Sequence, residues 1–228
     1  MIEKIVISLG GSLIVPGTID VEYIREFKQR LIKHKKGRQF YIVAGGGKTA
    51  RHYIEAAALA SSPEDISDDD KDWLGIHCTR LNAHLLRTIF CDFAHPRIVK
   101  DPSIKVGEEY PVVIAAGYRP GYSTDCIAVR IAQTQGVETV VNLTNTDYAY
   151  DKDPRTFKDA KPLTQIAWSD FQKIVGEKWT PGLNAPFDPI ASKEAAENKL
   201  RVIIANGKNL DNLERIILRK EYVGTTIS

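Results

Sequence analysis

Residues 4–13 read KIVISLGGSL and residues 39–47 read QFYIVAGGG; in each, a short β-branched apolar run ends on glycines. A strand that is apolar on both faces is buried on both sides, the habit of parallel sheets covered by helices. The pattern recurs at residues 111–116 (PVVIAA), 138–143 (ETVVNL) and 201–205 (RVIIA). Between these runs lie amphipathic stretches. Val21, Ile24, Phe27 and Leu31 recur at helical spacing, with Asp20 as N-cap and Gly37 past the end. Further helices are expected over 48–60, 71–90, from Ser123 or Thr124 to near Gly136, and over 169–175 and 188–198. Strands alternating with helices predict βαβ crossovers, hence an α/β fold: a three-layer αβα sandwich around a mostly parallel central sheet. The polar stretch 61–70 (SSPEDISDDD) reads as a surface loop entering a helix, and 148–161 (YAYDKDPRTFKDAK) as a loop or hairpin.

Composition bounds the function. At 228 residues, the chain fits one domain, with an N-terminal lobe over about 1–135 and a C-terminal lobe over about 136–228. An apolar share of 43% and a charged share of 26% exclude global disorder. Lys and Arg number 31 against 29 Asp and Glu, a net +2 too small to make nucleic acid or an anionic membrane the expected partner. No apolar run approaches the length of a membrane span, and the N-terminus lacks the pattern of a signal peptide. Cys78, Cys91 and Cys126 are far apart and odd in number, so a reducing cytoplasm is expected and no metal-ligand spacing is present. His34, His52, His77, His84 and His95 add no close metal pairing.

Three glycine clusters follow separate strands: Gly10-Gly11, Gly45-Gly46-Gly47, and Gly117 with Gly121. In an open parallel sheet, ligands bind beyond the carboxyl ends of the strands, where glycine lets the backbone approach an anion. Three such turns favour a phosphate-rich ligand. Gly47-Lys48-Thr49 resembles the end of a phosphate-binding P-loop, but that loop needs a glycine where Ile42 stands. A G-x-G-x-x-G dinucleotide fingerprint is absent too. The remaining inventory suits phosphoryl transfer, which asks for cations and backbone donors around the moving group rather than covalent chemistry.

Several blocks together resemble the amino acid kinase superfamily and, within it, the archaeal-type UMP kinases. They are ISLGGSL (7–13), VAGGGKTARHYI (43–54), DWLGIHCTRLNAHLL (72–86), AAGYRPGYSTD (115–125), NLTNTDYAYDKDPR (142–155) and APFDPIASK (185–193). The resemblance covers essentially the whole chain and implies that the N-terminal half holds the phosphate acceptor and the C-terminal half ATP. By position, Gly10 and Gly11 lie at the transfer point. Gly45, Gly46 and Gly47 face the acceptor phosphate, and Arg51 clamps it. Asp72 takes a ribose hydroxyl, Thr124 touches the base, and Asp125 orients catalytic cations. Thr144, Asn145, Asp147, Tyr150 and Asp153 form the ATP-side loop, Ser8 lies beside them, and Lys193 reaches the ATP phosphates.

Two positions depart from the pattern. Many superfamily members carry a lysine on the first strand, three residues before the second glycine of the turn; here it is Ser8. That shifts weight onto Lys193, Lys48 and Mg2+. Tyr148-Ala149 stands where relatives usually read Gly-Val. The resemblance therefore implies a cytoplasmic kinase, homo-oligomeric as a dimer or hexamer, that moves a phosphoryl group from ATP to UMP with Mg2+. The alternatives are a kinase of another small phosphate or carboxylate acceptor, and a non-catalytic nucleotide- or oxyanion-binding protein of the same fold.

Overall fold

The computed structural model describes residues 2–62, 65–154, 156–176 and 186–228. Strand β1 (Glu3–Leu9) pairs in parallel with β2 (Arg38–Ala44) on one side and with β4 (Thr139–Thr144) on the other. Outward from β2 lies β3 (Val112–Ala115), and outward from β4 lies β8 (Arg201–Asn206), both parallel. Beyond β8, strand β9 (Thr225–Ile227) runs antiparallel to it and carries β7 (Gln165–Ile166) at the edge. The order β3-β2-β1-β4-β8-β9-β7 reverses direction at β1, so the topological switch point lies between β1 and β4. That is where open α/β sheets leave a crevice. A separate hairpin of β5 (Ala149–Tyr150) and β6 (Pro162–Leu163) occupies the stretch expected to be a loop or hairpin.

The alternation of β1 explains the layers. Ile5, Ile7 and Leu9 point to one face and pack with α2 (Val21–Lys33), α4 (Asp68–Phe90) and α8 (Leu210–Ile217). Val6 points to the other face, which is covered by α5 (Thr124–Gln135), α6 (Trp168–Val175) and α7 (Pro189–Glu197). Ser8 shares the parity of Val6, and so a hydroxyl at the end of an apolar strand faces α5. Local signals agree with the packing. Asp20 caps α2 by accepting from the Tyr23 amide at 3.0 Å, and Ser123 caps α5 by accepting from Cys126 at 3.3 Å. Gly136 ends α5 in the left-handed region at φ 68°. Asp68, Asp69 and Asp70 lie inside the first turn of α4 rather than ahead of it, because Ser67 and Asp70 form a reciprocal capping box. Arg30 and Lys33 of α2 and its C-cap His34 converge on Glu214 of α8 at 2.6, 2.6 and 2.7 Å, tying those helices together.

Two helices follow the glycine turns. They are α1 (Gly11–Ile14) after β1 and α3 (Gly47–Ala60) after β2. None of the 14 residues of α3 is buried in the chain. Among the described residues, no helix is long and apolar enough to cross a membrane.

Candidate active site

The first two glycine turns touch. A methyl group added at Gly11 would collide with the backbone of Gly47 and Gly45, and one added at Gly45 would collide with Gly11. The close approach requires glycine on both sides, and Gly47 also adopts φ 67°, which favours glycine. Backbone bonds lock the pair: the Gly45 amide donates to Leu9 at 2.9 Å, the Gly10 amide to Leu143 of β4 at 3.0 Å, and the Lys48 amide to Val15 at 3.0 Å. The turn of β1 is thus held between β2 and β4, at the switch point. The start of α3 adds the positive end of a helix dipole beside it.

Helix α4 is the template for the neighbouring loops. The buried Asn82 side chain donates to the carbonyls of Gly45 at 2.8 Å and Gly46 at 3.2 Å. One turn earlier, the Thr79 hydroxyl accepts from the Gly117 amide at 2.9 Å while donating to the Ile76 carbonyl. Arg80 donates to the carbonyls of Gly117 at 3.2 Å and Tyr118 at 2.8 Å. Asp72 accepts from the Gly121 amide at 2.8 Å. Burial raises the Asp72 pKa, the Gly121 amide opposes that, and Asp69 and Asp68 add to the rise. All three glycine clusters are therefore positioned by one helix and one another.

On the opposite side of β1, Ser8 donates to Asp125 Oδ1 at 3.1 Å, and the amide of Asp188 donates to Asp125 Oδ2 at 3.2 Å. Asp188 caps α7, with Oδ1 accepting from Ala191 at 2.8 Å and from the Cys126 thiol at 3.4 Å, while its Oδ2 is buried with no hydrogen-bond partner among the described residues. Burial is the main cause that lifts the Asp125 pKa to about 7. The Asp188 charge adds to it, and the two donated hydrogen bonds pull it back. Burial likewise pushes up the Cys126 thiol, which stays protonated beside them.

At the ends of β4 and β8, the Thr144 hydroxyl accepts from the Thr146 amide at 3.2 Å and the Gly207 amide donates to the Thr144 carbonyl at 2.8 Å. Asp147 accepts from Asn206 at 3.0 Å. Asp147, Asn206, Lys208, Asn209 and Leu210 line one wall of an open concavity there.

The candidate residues fall into three groups. Gly10, Gly11, Gly45, Gly46 and Gly47 form one contact set, and Ser8, Asp125 and the start of α7 form a second against the same strand. Thr124 opens α5 next to Asp125. Thr144 and Asp147 share the ends of β4 and β8. Arg51 on α3 and Lys193 on α7 are both exposed, and neither ammonium nor guanidinium has a hydrogen-bond or ion-pair partner among the described residues. Asn145 is exposed in the turn after β4. Tyr150 pairs with Pro162 in the small hairpin, and the Asp153 carbonyl caps the turn beyond it by accepting from Thr156 and Phe157. Among the described residues, no hydrogen bond joins Asn145 or Tyr150 to the centre. Ala185 of the APFDPIASK block lies outside the described residues.

Sequence reasoning missed Asn82, Thr79, Arg80 and Asp188. Thr79 and Asn82 carried a readable signal, being polar residues within the buried stripe of Ile76, Ala83 and Leu86 on a helix. Asp188 read only as the first residue of the helix expected over 188–198, because its contact with Asp125 is made 63 residues away in sequence.

Glycine turns that touch at a topological switch point, flanked by a half-buried carboxylate and unpaired cations, mark an α/β protein that handles phosphorylated ligands. The chain belongs to the amino acid kinase family, whose profile matches residues 3–206. It is 34% identical to the uridylate kinase of Pyrococcus abyssi over 227 residues, covering 98% of this chain and 99% of that one. It is also 34% identical to the uridylate kinase of Thermoplasma volcanium over 230 residues, covering 100% and 98%. The crystal structure of the uridylate kinase of Archaeoglobus fulgidus superposes with a TM-score of 0.82 at 30% identity, over 99% of this chain and 100% of that one.

Proposed function

We propose that the protein is a nucleoside-monophosphate kinase that transfers the γ-phosphoryl group of ATP to UMP, giving UDP and ADP. The observation that carries this is the contact of the Gly10-Gly11 and Gly45–Gly47 turns beside the Ser8–Asp125 pair, supported by full-length relatives named as uridylate kinases. Two phosphorylated molecules brought end to end need such a meeting point of amides. A phosphate oxygen of UMP attacks the γ-phosphorus, the bond to the bridging oxygen breaks, and its electron pair leaves with ADP. No strong general base is required, since the attacking phosphate oxygen is already anionic at neutral pH. Holding the two partners in line supplies on the order of 7–11 kcal/mol of the barrier.

In this reading, Gly45–Gly47 and Arg51 hold the acceptor phosphate, Arg51 as a two-pronged donor. Asp72 and Thr124 meet the ribose and base. Gly10, Gly11 and Lys193 meet the transferring group, and Thr144, Asn145, Asp147, Tyr150 and Asp153 meet ATP. Asp125 orients the cations. Mg2+ fits this donor set as an ion carried by the nucleotide phosphates. Among the described residues, no group of three metal-binding side chains forms a cage, and Mg2+ habitually keeps waters and binds through phosphates plus one or two carboxylates. Asp125, beside the unpartnered Asp188 Oδ2, would hold it there, and the ion would neutralise charge on the transferring group. A cytoplasmic location follows from the same reading.

A homo-oligomer belongs to it as well. Tyr53 and Leu59 of α3 and Trp73 and Leu81 of α4 are 60%, 81%, 42% and 64% exposed, a run of large apolar groups on two adjacent helices. A second copy is the expected occupant, and sedimentation would show a species larger than 25.4 kDa.

The test is ADP release with UMP, other nucleoside monophosphates, small phosphates and amino acids as acceptors. UMP should be preferred, and Arg51→Ala should raise its KM severely. Turnover with a non-phosphorylated acceptor that is indifferent to Arg51→Ala would sink the reading.

A further inference from the structure

Arg130 stands where three elements meet. Its guanidinium grips Glu194 of α7 with two prongs, Nε to Oε2 at 2.9 Å and Nη2 to Oε1 at 2.5 Å. The centre of the same guanidinium lies 4.1 Å from the ring centroid of Tyr122. Tyr122 belongs to the 117–123 loop, the one that Thr79, Arg80 and Asp72 of α4 hold by its backbone. Arg119 of that loop donates to the Tyr122 hydroxyl at 3.2 Å, so the phenol is flanked by two cations that draw its pKa down.

The ion pair fixes more than its own two side chains. Helix α7 has nine residues and is hydrogen-bonded to α5 at two points, its pegs: at the cap, where the Asp188 amide meets Asp125 and the Asp188 carboxylate accepts from the Cys126 thiol, and at Glu194 in the fork of Arg130. The pegs are about 9 Å apart along the helix axis. Lys193 lies between them, immediately before Glu194, and has no hydrogen-bond or ion-pair partner among the described residues. The direction of its side chain therefore depends on the rotation that the pegs impose on α7.

A guanidinium has a single plane. The fork to Glu194 uses its edge and the contact with Tyr122 uses the same group, so the two cannot be adjusted independently. Movement of the 117–123 loop that drags Tyr122 reorients the fork, and the fork turns α7. We propose that Arg130 is a positioning residue that couples the 117–123 loop on the acceptor side to the orientation of Lys193 on the nucleotide side, so that each ligand prepares the site for the other. This rests on the assignment of that loop to the acceptor and of Lys193 to ATP.

The experiment is amide hydrogen exchange of the full chain with a non-hydrolysable ATP analogue alone and with UMP alone. In the unaltered protein, the analogue should slow exchange in 117–123, and UMP should slow it in 188–197, each by about fivefold or more, the usual lower range of coupling between sites. Arg130→Lys keeps the charge and loses the fork; each ligand should still protect its own side while both cross-effects vanish. Tyr122→Phe, which keeps the ring face, should retain them, whereas Tyr122→Leu should not. Glu194→Gln serves as an independent variant and should weaken both. Cross-protection that survives Arg130→Lys and Glu194→Gln overturns the proposal. So does an unaltered protein in which the analogue protects 188–197 without touching 117–123, or leaves 188–197 unprotected. Failure of UMP turnover in the unaltered protein counts against the acceptor assignment alone, because the analogue arm needs no acceptor.

Discussion

The hydroxyl of Ser8 donates to Asp125 across 3.1 Å, joining the end of β1 to the start of α5 over 117 residues of sequence. Many members of the superfamily place a lysine at this strand position. A lysine there would hold Asp125 firmly ionised, whereas a neutral donor only partly offsets burial and the neighbouring Asp188 charge. The replacement thus converts a fixed charge into one that titrates near neutrality.

Activity should follow that titration. In the proposed mechanism the ionised form of Asp125 orients the cations, so kcat/KM should rise with pH through about 7. Ser8→Ala removes a donor to the carboxylate and should move this acid limb upward by about one pH unit, the equivalent of one charge-assisted hydrogen bond. A pH–rate profile of both proteins decides it. An acid limb unmoved by Ser8→Ala would mean that another group titrates.

Stability should respond with the opposite sense. Asp125 has a folded pKa of about 7 against 3.8 for an ordinary aspartate, so between those values the folded state binds the extra proton. The stability this contributes is full below the unfolded value and is lost as pH rises through the folded one. Asp125→Asn, whose amide can donate to Ser8 and whose oxygen can accept from Asp188, removes that loss. It should raise the melting temperature relative to the unaltered protein at pH 8 and much less at pH 5, while lowering kcat by about 10²-fold or more. A melting difference that is the same at both pH values would contradict the cause given for the raised pKa.

Contact between the first two turns should be intolerant of any side chain. Gly11→Ala drives a methyl group into the backbone of Gly47, where no flexible side chain can yield. Separation of the turns should cost about 2–4 kcal/mol and remove the amide pocket, so activity should fall together with the melting temperature. Gly17→Ala, whose Cβ meets nothing, is the control and should change neither. Retained activity in Gly11→Ala would show that the two turns are not needed in contact.

Much of this architecture could be read from the chain, for physical reasons that also mark where reading stopped. Val112–Ala115 and Arg201–Asn206 announce themselves because both faces of a central strand are apolar. Helix α1 is four residues long, barely one helical period, so no apolar spacing can repeat within it. Strand β9 owes its existence to pairing with β8, a tertiary fact invisible in Thr225–Ile227. Helix α8 was legible but unread: Leu210, Leu213, Ile216 and Ile217 keep helical spacing after the Asn209 cap. In the site, glycines after strands signalled the ligand side, whereas the Asp125–Asp188 contact and the hold of Asn82 on two carbonyls depend on how distant segments meet.

Asn82 offers a test that separates the two substrates. Its amide satisfies the carbonyls of Gly45 and Gly46, so their peptide planes, and the amides that follow them, keep one orientation, which the proposed mechanism uses to hold the acceptor phosphate. Asn82→Asp replaces the donor with a carboxylate facing two carbonyl oxygens, and Asn82→Leu leaves both unpaired. Either should destabilise the protein by about 1–3 kcal/mol, the cost of unsatisfied buried acceptors. The kinetic effect should be selective: KM for UMP should rise about tenfold or more, equivalent to roughly 1.4 kcal/mol. KM for ATP should hardly move, because no hydrogen bond links Asn82 to the ends of β4 or β8. Initial-rate measurements with each substrate varied in turn check this. Equal rises in both KM values would indicate general loosening of the fold rather than a turn held for the acceptor.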